Sequence, residues 1–454
     1  MNGACLRMGG ALLGALVLGS RSAPAEDAAA STLDELSRKV NAIERKMQVV
    51  DETASVKTNA AAVVSIGKDG FSVSSADRAF QLRVRGYAQV DSGFYLNDSQ
   101  DKAIDTFGLR RVRVVLDGKK DDDFAFLIQP EFAGSSATIQ DAALEYVAVP
   151  ALSLRAGKFK VPFGLEFLQI DPYMFFAERG LPTQLVPNRD VGLQAFGNLA
   201  SGTVTYAVGV FNGAVDGSSS DRDNNDAKDC AARLFIHPFR LSDLERVQNL
   251  GVGMAATFGD DQGTASSPRL PSFKTSGQQV FFSYKNSTNV NGTAFADGQH
   301  VRLGPQAYWY AGPFGMLAEY VKSSQDISDG KNETALDNTA WQIQAGWVLT
   351  GEKAGYNDVT PRANFAPSKG NWGALELVGR CGALTIDSGA FSAFADASKS
   401  AASAKTWAAG MNWYLNRNVK LMLDYDQTSF DGGADNGADR PDERLLLCRA
   451  QLSF

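Results

Sequence analysis

Apolar and polar residues alternate in this chain from about residue 79 to the C-terminus. In the first segment Phe80, Leu82 and Val84 alternate with polar residues, and the last segment ends on an apolar residue, Phe454. A period of two is that of a β-strand with one apolar and one polar face. Repeated segments of about ten residues or more are typical of a transmembrane β-barrel with a polar lumen. A soluble β-sandwich also alternates, but its strands are shorter.

The segments predict an all-β barrel of sixteen antiparallel strands over residues 79–454. Seventeen strand-like segments can be counted if Gln278 to Lys285 is included. A single-chain bacterial barrel with both ends on the periplasmic side needs an even number of strands. We therefore assign 278–285 to one long outer excursion, 260–299. Sixteen strands then take roughly 23 residues each with their connections, which suits a barrel with an aqueous lumen.

The connections between the segments fall into short and long classes, which orients the barrel. Periplasmic turns of such barrels are short and outer loops are long. Short connections lie at 119–121, 150–151, 200–201, 312–313 and 416, and two longer turns lie at 240–248 and 351–370. The long connections, expected on the outer side, lie at 96–106, 160–188, 214–228, 260–299, 324–338, 387–402 and 429–442.

The N-terminal region carries different patterns. Residues 1–25 combine Arg7, an apolar run at 9–19 and a small-residue site at Ala23-Pro24-Ala25. This pattern predicts a cleaved signal peptide for export, with a buried N-terminal helix as the alternative. We therefore expect the chain in the bacterial outer membrane.

A heptad pattern follows within residues 26–52. Apolar residues recur at spacings of three and four, which predicts a short coiled-coil helix that joins chains into an oligomer. An amphipathic helix that rests on its own domain is the alternative. Residues 53–78 are expected to form a linker. The seam residues are Leu33, Leu36, Val40, Ile43, Met47 and Val50.

The composition argues against several other functions. The formal net charge of -7 disfavours nucleic acid as a partner. The chain has only two histidines, His237 and His300, and its four cysteines form no C-x-x-C motif. We therefore expect no metal site, no cofactor and no catalytic residues. A barrel hydrolase built on either histidine is a remote alternative.

By strand parity a set of arginines points into the lumen, because a charge that faces lipid costs roughly 2–4 kcal/mol at the bilayer midplane. One interpretation is a basic strip that attracts anions into a confined pore. The other is that these arginines pair with inward carboxylates, Asp91, Asp117, Asp141, Glu145 and Glu376, and only neutralise the wall. Both interpretations stay open. The predicted anion-attracting residues are Arg83, Arg85, Arg110, Arg111, Arg113, Arg179 and Arg380.

The connection at 160–188 is long, aromatic and apolar for an exposed loop, so we expect it to fold into the lumen and narrow the passage. The excursion 260–299 is a second candidate for an inward fold, whereas the acidic connection 214–228 reads as a solvated outer loop. The predicted constriction residues are Pro162, Phe163, Gly164, Glu166, Tyr173, Phe175, Phe176 and Glu178.

Several linked motifs resemble the phosphate-selective porin O and P family. Residues 107–111 (FGLRR) resemble its early Arg-Arg strand, and 156–166 (AGKFKVPFGLE) resemble the segment before its constriction loop. Residues 178–181 (ERGL) with 188–192 (NRDVG) resemble the end of that loop, and 409–416 (AGMNWYLN) the penultimate hairpin. The resemblance covers roughly 80–454 and implies a trimer of sixteen-stranded anion channels.

The chain departs from the phosphate-specific members of that family. Those members carry a lysine cluster at the constriction and closely spaced arginines in the fifth outer loop. Here the stretch 170–174 (IDPYM) has no lysine, and 260–299 has only Arg269, Lys274 and Lys285. Lys322 is a weaker possible match.

These patterns predict an outer-membrane porin, not an enzyme. We expect passive diffusion of small hydrophilic solutes, especially small anions such as phosphate, through a homotrimer embedded in outer-membrane lipid. A structural or adhesive barrel with a plugged lumen is the alternative, because aromatic inward loops could fill the pore.

Overall fold

The computed structural model describes residues 34–50, 62–67, 70–96, 104–223, 226–287, 292–357 and 359–454. The chain divides into two compact units, residues 1–61 and 62–454. The predicted signal peptide, 1–25, lies outside the described residues, as do the ends of the predicted stem.

The described part of the first unit is one helix, α1, at residues 34–50. Its seam residues Leu36, Val40, Ile43 and Met47 are all exposed, between 48% and 65%. A single helix cannot bury such a seam by itself. The helix therefore has the face that a coiled coil needs, and the coiled coil stays a prediction.

The second unit consists mainly of strands with a few short helices. The short helices are α2 (Leu165–Leu168), α3 (Glu245–Gln248) and α4 (Ala390–Ala393). The strands are β1 (Val63–Gly67), β2 (Gly70–Ser74), β3 (Phe80–Tyr95), β4 (Thr106–Lys120), β5 (Phe124–Glu131), β6 (Thr138–Val149), β7 (Leu152–Lys160), β8 (Arg189–Leu199), β9 (Val204–Phe211), β10 (Asp229–Ile236), β11 (Asn249–Gln262), β12 (Ser272–Lys274), β13 (Val280–Ser283), β14 (Phe295–Ala311), β15 (Phe314–Ser328), β16 (Glu333–Val348), β17 (Ala374–Thr385), β18 (Ala401–Tyr414), β19 (Val419–Gly432) and β20 (Glu443–Ser453).

Strands β3–β11 and β14–β20 form a closed antiparallel barrel of sixteen strands, in which each strand pairs with its neighbours in sequence. The barrel closes where β3 pairs with β20, with Gln89 opposite Gln451 and Ala88 opposite Leu452. The predicted strand number is confirmed. The predicted role of 260–299 also agrees. Among the described strands, β12 and β13 pair with each other alone, as a hairpin that is not part of the barrel wall.

Part of the segment predicted as a linker, 53–78, is instead strand. β1 and β2 form a hairpin, and β2 pairs with the start of β3, with Phe71 opposite Val84. The pairing with β20 covers β3 only from Tyr87 onward. The hairpin therefore satisfies backbone groups on an edge of β3 that the closing strand leaves open.

One predicted outer loop is much shorter than expected. The polar sequence at 324–338 suggested a loop, but β15 and β16 continue through it and only residues 329–332 connect them. The Asp329 carboxylate accepts hydrogen bonds from the backbone of Lys331 and Asn332, at 2.9 and 2.7 Å. This tight turn lets the two strands extend as a polar hairpin.

The outward face of the wall is apolar. Large side chains such as Leu144, Leu193 and Trp347 are exposed there by 52–65%. Trp309 and Trp413 lie at periplasmic strand ends, and their indole N–H groups donate to backbone carbonyls at 2.7 and 2.6 Å. Tryptophan at this height is typical of a membrane interface. Among the described residues, no helix has the length and hydropathy to cross a bilayer.

Candidate functional site

The connection between β7 and β8, residues 161–188, contains the predicted constriction residues and is called the constriction loop below. Its side chains are largely buried; Phe163 and Phe176 are 0% and 1% exposed. Of the predicted constriction residues, Tyr173 is half-buried, and those buried are Pro162, Phe163, Gly164, Glu166, Phe175, Phe176 and Glu178.

Inward side chains of β14–β20 hold this loop by its backbone. Asn412 donates to the carbonyl of Phe175 at 2.9 Å, and Lys420 donates to that of Met174 at 3.0 Å. Further wall side chains that donate to loop carbonyls are Gln306, Arg380, Arg449 and Gln451. Because the partners span β14–β20, the loop lies in the lumen against that part of the wall.

Two glutamates fasten the loop to itself and to the wall. Glu166 accepts from the backbone N–H of Gly180 at 2.9 Å and from the Gln342 amide at 2.8 Å. The same amide donates to Glu319 at 2.8 Å. A Cβ at Gly180 would meet Gln342 Oε1 at 1.8 Å, so a larger residue would displace the amide that bonds both glutamates. The sequence motif ERGL thus carries a packing requirement.

Asp171 of the loop lies among three arginines. Its Oδ2 accepts from Arg113 Nη1 at 2.6 Å and from the Tyr87 hydroxyl at 2.7 Å. Its Oδ1 lies 2.8 Å from Arg179 Nη2 and 3.4 Å from Arg111 Nε. Burial alone would raise the pKa of this carboxyl, but the three guanidiniums hold the pKa well below its ordinary value.

Glu178 is the second loop carboxylate that meets predicted arginines. Arg110 donates to both of its oxygens, at 2.7 and 2.9 Å, and Arg449 donates at 3.0 Å. Arg449 also donates to Asp91 at 2.7 and 2.6 Å. Burial would raise the pKa of Glu178, but Arg110 and its neighbours lower it below the ordinary value. This group holds two arginines and two carboxylates, so its charges cancel.

The remaining predicted arginines also have partners. Arg83 and Arg85 both pair with Asp117 near the periplasmic end, the latter at 2.7 Å. Arg380 pairs with Asp426 at 2.9 Å. The geometry therefore supports extensive ion pairing of the wall, one of the two interpretations that the sequence left open.

The acidic residues expected as partners fit this pattern with one exception. Asp141 lies 3.1 Å from Arg189, and Glu145 lies 2.7 Å from Arg155. Glu376 has no arginine partner among the described residues and instead accepts from Asn412 and Tyr414 at 3.0 and 2.8 Å.

A cavity of about 500 Å³ lies between the constriction loop and the wall formed by β3–β8. Its charged lining residues are the cations Arg83, Arg85, Arg155, Lys160, Arg189 and Arg417 and the carboxylates Asp141 and Asp171. A smaller cavity of about 160 Å³ lies on the outer side, with Arg110 and Glu178 in its lining. The two have no lining residue in common. The layer between them contains Gln89 and Arg111, which are hydrogen-bonded at 2.8 Å.

The sequence analysis missed Lys160, which ends β7 immediately before the loop. Its Nζ donates to the carbonyls of Phe167 and Gln169 at 2.7 and 2.9 Å. Among the described residues, no carboxylate lies within salt-bridge distance of it. Strand parity gave no signal for it, because Lys160 shares the parity of Leu152 and Leu154, which are 41% and 48% exposed on the outward face. Lys322, the weaker candidate, points outward and pairs with Asp337 at 2.7 Å.

The hairpin β12–β13 packs against the constriction loop through buried aromatic residues. Phe273, Phe281 and Phe282 are each 0% exposed and share a core with Phe163 and Leu185. Arg269 pairs with Asp261 instead of extending a row of arginines. The excursion 260–299 therefore folds inward, as the second candidate loop, but without an arginine ladder.

The connection 214–228 is not simply solvated, because Asp216 is 3% exposed. Arg302 Nε donates to it at 2.5 Å, and Ser323 Oγ donates at 2.7 Å. Burial raises the pKa of Asp216, but Arg302 more than offsets burial and the pKa falls to about 2. One buried carboxylate, that of Asp216, thus anchors the acidic connection 214–228. The acidic composition of this connection predicted a solvated loop and did not reveal the anchor.

The same cluster bears on the remote hydrolase alternative. His300 Nε2 lies 2.9 Å from Ser323 Oγ and 3.5 Å from Asp216. Its Nδ1 faces Arg302 Nη2 at 3.2 Å and must accept, since arginine only donates. In a catalytic triad the carboxylate orients Nδ1. Here the carboxylate and the serine share Nε2, so the ring is oriented as a structural bridge.

Comparisons with known proteins agree with this architecture. The chain is 24% identical to Porin O of Pseudomonas aeruginosa over 418 residues, which cover 88% of this chain and 94% of that protein. It superimposes on the outer membrane channel DcaP of Acinetobacter baumannii with a TM-score of 0.54 at 13% identity, covering 83% of this chain and 98% of that one.

OmpT, an outer membrane protein of Vibrio cholerae, is also similar, with a TM-score of 0.50 and 11% identity for a structure described as its trimer form. That likeness covers 83% of this chain and 100% of OmpT. The model of one family, the phosphate-selective porins O and P, matches residues 80–454 and thus the whole barrel. The chain therefore belongs to the phosphate-selective porin O and P family and is an outer-membrane porin through which small hydrophilic solutes diffuse passively.

Proposed function

We propose that this porin favours small anions. The observation that carries the proposal is the lining of the 500 Å³ cavity, with six cations and two carboxylates. Asp117 and Glu145 pair with three of these cations from just outside the lining, so the surroundings stay net positive. A positive field in a confined space with low-dielectric walls raises the local anion concentration.

Lys160 adds to this field, because its ammonium is held by backbone carbonyls and, among the described residues, neither Lys160 nor the second lining cation Arg417 has a carboxylate within salt-bridge distance. Most arginines of the lumen have a carboxylate within salt-bridge distance, so their long-range fields are partly cancelled. We propose a pore that concentrates anions weakly and releases them readily, as conduction requires.

The proposed solutes are small inorganic anions, with phosphate as one candidate. The description of the family as phosphate-selective porins supports this class. In the sequence resemblance, the stretch 170–174, which contains Asp171 and no lysine, corresponds to the lysine-bearing constriction of the phosphate-specific members. We therefore propose that phosphate crosses the pore without strong selection over chloride.

The proposed assembly is a homotrimer in outer-membrane lipid. The trimer form of the similar OmpT supports three copies. The exposed seam of α1 supports a helical stem that joins them. We also propose that residues 1–25 are a signal peptide removed on export, as their charge and apolar run suggest.

The test of anion preference is the reversal potential of single channels in a potassium chloride gradient. The wild-type channel is expected to prefer chloride, and Lys160→Met to shift the reversal potential toward potassium. Lys285→Met is the matched control, because Lys285 also donates to a backbone carbonyl, that of Ala393, but on an outer loop. A wild-type channel that prefers potassium would refute the proposal.

A further inference from the structure

We propose that the Asp171 carboxylate fills an oxyanion pocket formed by Arg111, Arg113, Arg179 and the Tyr87 hydroxyl. Asp171 is covalently part of the chain and thereby competes with the permeating anion for this pocket. The inference rests on the proposed anion function, and it identifies Asp171 as the group that limits oxyanion binding in the pore. The ligand class of the vacated pocket would be a small oxyanion such as phosphate.

The pocket has the donors that an oxyanion needs. Arg113 and Tyr87 both donate to one Asp171 oxygen, at 2.6 and 2.7 Å, and Arg179 lies 2.8 Å from the other. A carboxylate and a phosphate present similar pairs of oxygens to a planar guanidinium. The side chain of Asp171 therefore occupies the position that a bound oxyanion would take.

Two of the three arginines depend on Asp171 for their only close carboxylate. Among the described residues, Arg111 and Arg179 form salt bridges with Asp171 alone. Arg113 keeps a second partner, Glu131, at 2.6 Å. Removal of the Asp171 carboxylate would thus leave two uncompensated guanidiniums beside Lys160.

The pocket also lies next to a place that solutes can reach. Asp171, Tyr87 and Lys160 all line the 500 Å³ cavity. The three arginines themselves do not line it. The loop carboxylate and the tyrosine ring therefore separate the guanidiniums from the cavity, and shortening residue 171 would open the way to them.

The test compares two carboxylate deletions that add the same charge to the same cavity. Asp171→Ala vacates the pocket, and Asp141→Ala removes the carboxylate beside Arg189, which lines the cavity from β6. Block of single-channel chloride current by inorganic phosphate is measured for both. We expect the half-blocking phosphate concentration to fall at least tenfold for Asp171→Ala and less than threefold for Asp141→Ala. Equal effects, or none for Asp171→Ala, would overturn the inference.

A second variant, Asp171→Asn, removes the charge but keeps nearly the same side-chain shape, and it covers the case in which Asp171→Ala does not fold. Heat-dependent mobility in detergent gels reports whether each barrel is folded. Asp171→Asn is expected to lower the half-blocking phosphate concentration at least threefold, since a neutral amide competes less well for the guanidiniums than a carboxylate does. A smaller fall in a folded Asp171→Asn channel would overturn the inference. The wild-type reversal potential tests the anion function separately, so failure of either idea can be recognised.

Discussion

Arg380 illustrates, at the scale of single residues, how the lumen uses its arginines. Its Nη1 donates to the Glu178 carbonyl at 2.7 Å, its Nη2 donates to Asp426 at 2.9 Å, and its guanidinium lies 4.4 Å from the centre of the Phe176 ring. Through these contacts Arg380 binds the backbone of the loop and the Asp426 carboxylate of the wall at the same time. Arg380 therefore holds the loop in place, and its charge is largely compensated by Asp426 instead of attracting a solute.

Replacement of Arg380 by Met is expected to destabilise the barrel by about 3–5 kcal/mol, because Asp426 would be left buried without its cation. The double variant Arg380→Met/Asp426→Asn should recover more than half of that loss, since no buried charge is left unpaired. Urea titration of the folded barrel in detergent measures both. A loss below about 1 kcal/mol for the single variant would show that Arg380 is not an anchor.

The depressed pKa of Asp171 gives a pH signature. Its ordinary value is about 3.9, and the folded value lies well below it. A lowered folded pKa means that the stabilisation is complete above the unfolded pKa and is lost as pH falls through the folded pKa. Asp171→Asn should therefore unfold more easily than the wild type by a constant amount from about pH 8 to pH 5. Below about pH 4 the gap should narrow. Urea titrations across this range check it; a gap that widens in acid would contradict it.

At the scale of elements, the wall strands were predictable because a strand records its environment locally. Residues i and i+2 face the same medium, so lipid on one side and a lumen on the other impose the alternation directly. The alternation is lost where both faces of a strand are polar. The outer ends of β15 and β16 extend past the membrane, and their sequence at 324–338 therefore looked like a loop.

The partners of the constriction loop were not predictable from the chain alone. Glu178 meets Arg380 across 202 residues of sequence, and Phe175 meets Asn412 across 237. Strand parity predicts that such side chains point inward, but it does not predict which of the sixteen strands the loop packs against. The sequence thus identified the loop and its inward arginines, but not Lys160 or the pairing of each arginine.

The buried Asp216 predicts how firmly the outer connection 214–228 is held. Asp216→Asn weakens the bond from Arg302 and is expected to increase the rate of tryptic cleavage at Arg222 and Lys228 at least fivefold in the folded barrel. The physical reason is local opening of a loop that has lost its charged anchor. Asp435→Asn, on another outer connection and exposed, is the control and should leave the rate unchanged. Equal rates for all three proteins would refute the anchor.

The seam of α1 predicts the effect of a single charge on assembly. Ile43→Asp places a carboxylate in the heptad seam and should lower the temperature at which oligomers dissociate in detergent gels by at least 5 °C. Arg45→Asp lies on the opposite side of the helix and serves as the control. Barrel insertion should be unaffected in both, because the helix and the barrel are separate compact units. An oligomer insensitive to Ile43→Asp would mean that barrel contacts alone hold it.

The whole molecule combines an acidic chain, with formal net charge -7, and a cation-rich cavity. A net charge describes solubility and long-range encounter, whereas permeation depends on the charges within a few ångströms of the path. Because most lumen arginines are paired, only a small surplus of positive charge remains near the cavity. The selectivity of the channel therefore rests on a weak field that mobile ions can screen.

This screening makes the anion preference dependent on salt. The Debye length falls from about 10 Å at 0.1 M salt to about 3 Å at 1 M. Chloride-to-potassium permeability ratios from reversal potentials should therefore drop toward one as the potassium chloride concentration rises over this range. Lys160→Met, which lacks the carbonyl-bound cation of the cavity, should start closer to one and change less. A wild-type ratio that stays constant up to 1 M would instead indicate selection by direct contact with the anion, because a hydrogen-bonded site is screened far less than a diffuse field.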